Sequence, residues 1–396
     1  MNTLIEKTNG TWVDINLDAL AHNLKEVKRL AGRMDLCAVV KADGYGHGAL
    51  VCAHHLQSLG VQRFAVANVT EALELRLGGI HQPILILGWT PEHRMKEVVQ
   101  HNLTPTLFAL SQAEHLSREA ELMCGKASVH IKIDTGMNRI GFYPTMESME
   151  AILAISRLPC LKIEGIYSHL ALFFTSDNHF SLHQAHLFLD FVRTLKREGL
   201  DIPLLHMANS AGLLDISDEG FNMVRVGSAL YGLYPRSGIS AGQMNLKPAM
   251  TFKTLISNVK TLAAGQGVSY GHTYVTPETR RIATVPVGYV DGITKIGSGK
   301  TDALVRGKRA RQVGMICMDQ CMLDVTHVPE VTQGDEVIFF GTDGTHTITP
   351  DERAEILGTG NCEIVCSVSR RVPRVYWQNG QIVQVVNYVT DSPAHE

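Results

Sequence analysis

The chain has 396 residues, 45% hydrophobic against 19% charged, and a formal net charge of −3. That length exceeds what one ordinary core serves, so two domains are expected, and the balance is that of a globular protein rather than a disordered one. The charge gives no reason to expect a nucleic-acid partner, and no apolar run approaches the ~20 residues that a membrane helix needs.

The start, Met1 to Leu17, lacks a basic segment followed by an apolar core, so the protein is expected in the cytoplasm rather than exported. Strands are expected at Leu36–Val40, Phe64–Asn68, Ile84–Leu87, Thr104–Phe108, Val129–Ile133, Ile163–His169, Leu204–Ala208 and Met223–Val226. Helical patterns lie between them at Ala49–Leu59, Glu71–Leu77, His93–Val99, Ala113–Met123, Met146–Ile155 and Leu182–Lys196. Eight strands alternating with helices predict an α/β fold, a (β/α)₈ TIM-type barrel over residues 1–245, with its active site at the strand C-termini. Unusual polar residues fall there: Lys41, Asn68, Asp134 to Arg139, His169, Asn209-Ser210 and Arg225.

The texture changes near Pro248. From Thr251 the sequence reads as strands with close-spaced turns: Thr251–Leu262, Arg281–Val287, Ala303–Arg306, Gln312–Met315, Met322–Val325, Glu336–Phe340 and Ile364–Val368, with one helix at Pro350–Leu357. Residues 246–396 are therefore expected to form a mainly β domain. The basic run Arg306 to Arg311 reads as a charged hairpin and Arg370-Arg371 as a polar strand end. Eight scattered cysteines imply reduced thiols. Cys317/Cys321 and Cys362/Cys366 sit four apart in strand-like apolar sequence, a spacing that makes no zinc knuckle, so no metal is expected.

Three places carry chemistry. Lys41 ends an apolar strand and is followed by Gly44, Gly46 and Gly48 around Tyr45, a setting that suits a lysine binding an aldehyde cofactor covalently. The turns Asn209-Ser210-Ala-Gly212 and Arg225-Val-Gly227-Ser228 have the small, hydroxyl-bearing composition of a phosphate site near the last barrel strands, although ordinary turn chemistry would use the same residues. Arg225 lies within the apolar strand Met223–Val226 and needs an acceptor there, a carboxylate being the ordinary one.

The string Val39-Val-Lys41-Ala-Asp-Gly-Tyr45-Gly-His-Gly48 resembles the pyridoxal-phosphate lysine motif of alanine racemases. Further motifs follow in the family's order from about Trp12 to Tyr376: Lys132-Ile-Asp-Thr-Gly-Met-Asn-Arg139, Gly267-Val-Ser-Tyr270-Gly271 and Cys317-Met318-Asp319-Gln320. The resemblance implies pyridoxal 5′-phosphate on Lys41, with Tyr45, Ser210, Gly227 and Ser228 around its phosphate, Asn209 also among the cofactor-binding residues and Arg225 at its pyridine nitrogen. It implies Arg139 at the cofactor's phenolic oxygen and the substrate carboxylate, and Lys132 as a lysine that is carbamylated in many relatives. It also implies interconversion of L- and D-alanine by two bases, Lys41 and Tyr270, supplying D-alanine for peptidoglycan. A phenol ordinarily titrates near 10, so a tyrosine base at neutral pH needs help, expected from His169 and Arg225. In the family the tyrosine and the Met318 backbone, which meets the substrate carboxylate, come from the partner of a head-to-tail homodimer.

Departures from the family pattern bear on specificity. Arg370 stands before Arg371-Val-Pro-Arg374, where a tyrosine near phosphate and substrate is usual, so Arg370 is expected at the cofactor with room for a side chain larger than methyl. Met315, Lys295 and Phe174 replace two common arginines and a small acidic residue near the entrance. A broader racemase acting on serine is thus an alternative. A pyridoxal-phosphate decarboxylase of the same barrel type should carry a catalytic cysteine and a His-Gly-Ser turn. The chain has Val268-Ser-Tyr270 and His206-Met-Ala-Asn-Ser210 instead.

Overall fold

The structure is a computed structural model that describes residues 8–172, 179–216 and 219–391, so Phe174 lies outside it. Eight parallel strands, Asp35–Val39, Arg63–Val66, Ile84–Ile86, Thr104–Leu107, Ala127–Lys132, Leu161–Tyr167, Leu204–His206 and Met223–Val226, close into a barrel, the last returning to the first through Asp35↔Met223 and Ala38↔Val226. The expected barrel is therefore present. Two of its helices begin where a short polar side chain takes a free N–H group of the first turn. Asn68 accepts from Glu71 N–H (3.1 Å) to open Val69–Leu77, and Thr145 accepts from Ser148 N–H (3.3 Å) to open Met146–Ser156. Asn68, singled out above as a polar residue at a strand end, is thus a helix cap.

The second domain is mainly β, as expected. Its large sheet runs in the order Asn258–Leu262, Arg280–Val285, Cys321–Asp324, Lys308–Val313, Asp302–Val305, Glu336–Asp343, Met250–Leu255, Thr11–Asn16, Arg374–Gln378, Gln381–Val386. The Arg306 run is a hairpin: Arg306 (φ 49°) and Gly307 (φ 68°) form the two-residue turn between Asp302–Val305 and Lys308–Val313.

Three departures matter. Residues Thr11–Asn16 do not stay with the barrel, but run antiparallel to Met250–Leu255 and parallel to Arg374–Gln378. Thr251–Leu262 is two strands, broken at Ile256-Ser257. The expected strand Ile364–Val368 is instead the end of the helix Asn361–Cys366 and the turn after it, which puts the second cysteine pair on a helix. A short apolar run cannot be told from a buried helix by its sequence period. No described helix is long and apolar enough to cross a membrane.

Candidate active site

The strand Asp35–Val39 delivers the chain to Lys41, and the next four residues all turn left-handed: Ala42 (φ 55°), Asp43 (53°), Gly44 (61°) and Tyr45 (54°). Non-glycine residues resist that conformation by ~1–2 kcal/mol each, so the turn must be held by its surroundings. Glu71 takes the Ala42 N–H (2.8 Å), and Asp43 Oδ1 accepts from the Ala49 N–H (2.9 Å) and the Tyr388 hydroxyl (2.8 Å). Arg374, fully buried, donates from Nε to the Gly46 carbonyl (3.2 Å). The second domain thus clamps the Lys41 turn of its own chain. Burial, with help from the Arg139 charge, lowers the Lys41 pKa.

Lys41 lines a cleft of about 320 Å³ at the C-terminal end of the barrel, together with Tyr45, Arg139, His169, Asn209, Ser210, Arg225, Gly227 and Ser228. Gly227 is required by contact: a Cβ there would lie 2.3 Å from the Tyr45 hydroxyl oxygen. Ser210 Oγ accepts from the N–H groups of Gly227 and Ala229, each at 3.3 Å, which holds the two turns side by side. Asn209 Oδ1 accepts from the Ala211 and Gly212 N–H groups (3.1 and 3.0 Å), shaping the first turn. The donor set of a phenol, two serines and close backbone amides beside a lysine suits an anionic group that carries an aldehyde.

Arg225 has no carboxylate against it among the described residues. It donates to His206 Nδ1 (2.7 Å), the Ser168 carbonyl (2.9 Å), His169 Nδ1 (3.0 Å) and the Met207 carbonyl (3.3 Å), and lies 4.7 Å over the Tyr167 ring. Burial and this neighbouring cation push His169 well below its ordinary value, so the ring is neutral. Lys132 is also buried, its Nζ donating to the Ile133 carbonyl (2.6 Å), and burial brings its pKa down to about 7. Arg139 hangs on a loop gathered by Asp134, whose carboxylate accepts the N–H groups of Gly136, Asn138 and Arg139 at 2.9–3.0 Å.

Three expected site residues do not join this cleft within one chain. Tyr270 is 71% exposed, in a turn where Ser269 (φ 66°) and His272 (φ 45°) are left-handed and Ser269 Oγ donates to the Met315 carbonyl (2.6 Å). Met318 is 52% exposed on the same domain, and its neighbour Cys317 shares a surface groove with Tyr270. Arg370 is exposed and stacks its guanidinium 4.5 Å over the Tyr388 ring, outside the cleft lining, so it offers no basis for a widened substrate space. The cleft is lined also by Gly360, Asn361 and Cys362, together with Tyr167 and Ile140, none of which sequence reasoning assigned to it. Burial pushes the Cys362 thiol up to about 11. Among the described residues no group of three or more His, Cys, Asp or Glu is placed to hold a metal ion.

Comparison with known proteins places both domains in one family. Residues 15–235 match the family described as alanine racemase, N-terminal domain, and residues 249–376 match alanine racemase, C-terminal domain. The alanine racemase of Clostridium novyi (strain NT) is 42% identical over 379 residues, 96% of this chain and 98% of that protein. The solved alanine racemase of Clostridium difficile 630 superposes with a TM-score of 0.92 at 39% identity, covering 96% of this chain and 99% of that one. A histidine racemase from Leuconostoc mesenteroides subsp. sake superposes with a TM-score of 0.87 at 27% identity, covering 93% and 98%.

Proposed function

The chain belongs to the alanine racemase family, and on that premise we propose that it interconverts L- and D-alanine with pyridoxal 5′-phosphate on Lys41, supplying D-alanine for peptidoglycan in the cytoplasm. The observation that carries the site assignment is the pairing of a lysine whose pKa is lowered by burial with the cradle of Tyr45, Ser210, Gly227 and Ser228 in one cleft. Held there by Lys41 and this cradle, the cofactor would supply an electron sink that acidifies the Cα proton of an amino acid.

The protein's own groups do the rest. Lys41 would move a proton on one face of Cα, and its lowered pKa keeps the amine available as a base. Arg139 binds the substrate carboxylate, a task suited to a forked cation. Arg225 hydrogen-bonds the ring nitrogen without releasing its own proton, which restrains delocalisation and the side reactions that follow from it. Lys132, neutral in part at physiological pH, can take up CO₂, and the resulting anion would orient Arg139. Tyr270 serves the opposite face from a partner subunit in a head-to-tail homodimer, where the Met318 backbone meets the substrate carboxylate.

Borohydride reduction of the cofactor-loaded protein, followed by peptide mapping, should place the cofactor on Lys41, and a chiral assay over a panel of L-amino acids should give D-alanine as the main product. Lys41→Ala should lose both. Attachment at another lysine would sink the site assignment, and a different preferred amino acid would sink the substrate.

A further inference from the structure

A guanidinium can only donate hydrogen bonds. Because Arg225 Nη1 points at His206 Nδ1 (2.7 Å), that nitrogen must accept, and the neutral ring carries its proton on Nε2. His206 Nε2 lies 2.8 Å from His130 Nδ1, so His130 must accept in its turn and hold its own proton on Nε2. His130 Nε2 is 3.9 Å from Glu164, an electrostatic contact rather than a hydrogen bond, and Glu164 is fixed by Arg63 at 3.0 Å. The donors run one way, from the cleft through the barrel interior to His130, whose Nε2 faces the Glu164 carboxylate.

The barrel is shaped around this line. Strand Ala127–Lys132 slips register against Leu161–Tyr167 between Val129 and His130. Opposite stands Gly165, where a Cβ would come within 2.5 Å of the His130 ring. The His206 ring stacks on Tyr167, centroids 4.7 Å apart at 8°. His130 and His206 are almost completely buried. A glycine and a bulge are both placed where they admit one imidazole.

We infer that His130 and Glu164 are positioning residues for Arg225: the relay Arg225–His206–His130–Glu164 fixes both histidine tautomers, supplies a counter-charge through them, and sets the direction in which the guanidinium faces the cleft. Its consequence for catalysis rests on the proposed role of Arg225 at the cofactor's ring nitrogen. Both rings stay neutral because burial and the nearby arginines lower them, His130 to about 3 and His206 well below its ordinary value. Glu164→Gln removes the carboxylate charge and leaves Arg63 and Arg225 as two cations at the ends of the histidine pair.

Two measurements test this. NMR on cofactor-loaded and cofactor-free protein, isotope-labelled at the histidine nitrogens, should find His130 and His206 neutral with the proton on Nε2. An Nδ1–H tautomer or an imidazolium at either ring overturns the relay. Glu164 is partly exposed, so Glu164→Gln should fold. It should lower kcat/KM roughly tenfold and shift the absorbance band of the bound cofactor, with the melting temperature little changed. Gly165→Ala, which displaces the His130 ring, should shift the same band. A wild-type spectrum and wild-type kinetics in Glu164→Gln overturn the inference whatever Gly165→Ala does, and if Glu164→Gln does not fold the NMR result alone decides. Correct tautomers in a protein that neither holds pyridoxal phosphate nor racemises would instead count against the proposed function.

Discussion

Gly227 shows how little room the cleft has. The Tyr45 hydroxyl lies where a side chain at residue 227 would begin, 2.3 Å from an added Cβ, so Gly227→Ala must drive the phenol out of the cradle. Such overpacking costs ~1–3 kcal/mol, which read as lost affinity is roughly 5–150-fold. Titration of the cofactor-free variant with pyridoxal phosphate should show that loss, and an unchanged dissociation constant would remove Tyr45 and Gly227 from the phosphate site. Lys132 poses a different problem, a lysine in the barrel interior. Burial is the main reason its pKa falls from 10.5 to about 7, the Arg225 charge adds to it and Asp134 opposes it. Between those values the unfolded chain holds a proton at Lys132 that the folded chain has released. Its contribution therefore makes stability rise with pH from about 7 to about 10.5 and leaves it flat below. Carbamylation would replace the awkward cation with an anion near Arg139. Bicarbonate at about pH 8 should then raise the melting temperature and, if isotope-labelled, give a carbamate carbon signal by NMR. Lys132→Gln should abolish both responses, and a signal that survives it would place the modification elsewhere.

Elements differed in how much of themselves the sequence displayed. The barrel strands were legible because strands buried on both faces read as continuous apolar runs, and the amphipathic period of the intervening helices marks where each one stops. The helix Asn361–Cys366 was not, since six residues are too few to show a period. What makes it a helix is its seat on the Lys41 turn, where a Cβ on Gly46 would lie 2.3 Å from the Val365 carbonyl oxygen. The same misreading hid Cys362 from the cleft and left Arg370, carried over from a motif position, in its place. The hairpin Arg374–Gln378/Gln381–Val386 did have a signal, Asn379-Gly380 with φ 50° and 70°, the dipeptide that favours a two-residue turn. The left-handed run through Ala42, Asp43 and Tyr45 had none. Glycines announced a tight turn, but the partners that hold the other residues there, Glu71, Tyr388 and Arg374, are distant in sequence.

Across the whole molecule, the groups proposed for the two faces of Cα sit on different domains, Lys41 in the barrel cleft and Tyr270 on an exposed turn of the β domain. Tyr270→Phe should suppress proton exchange at Cα of L-alanine far more than of D-alanine, by roughly 10²–10⁴-fold for a lost acid–base group. Equal suppression of both would favour a single base. Mixing Lys41→Ala with Tyr270→Phe subunits should restore activity, because one of the two shared sites would then be intact. Verified mixed dimers without activity would rule out a site built from two chains. The barrel's closing strand, Met223–Val226, is made well before the second domain, whereas Thr11 lies opposite Thr254 and Val13 opposite Arg374. Strand Thr11–Asn16 therefore waits for partners that lie far downstream of the barrel. Its pairing is among the longest-range contacts of the fold, the kind that forms slowly and leaves an unclaimed strand edge exposed during synthesis. A strand made ahead of the barrel is thus placed only after the barrel can close.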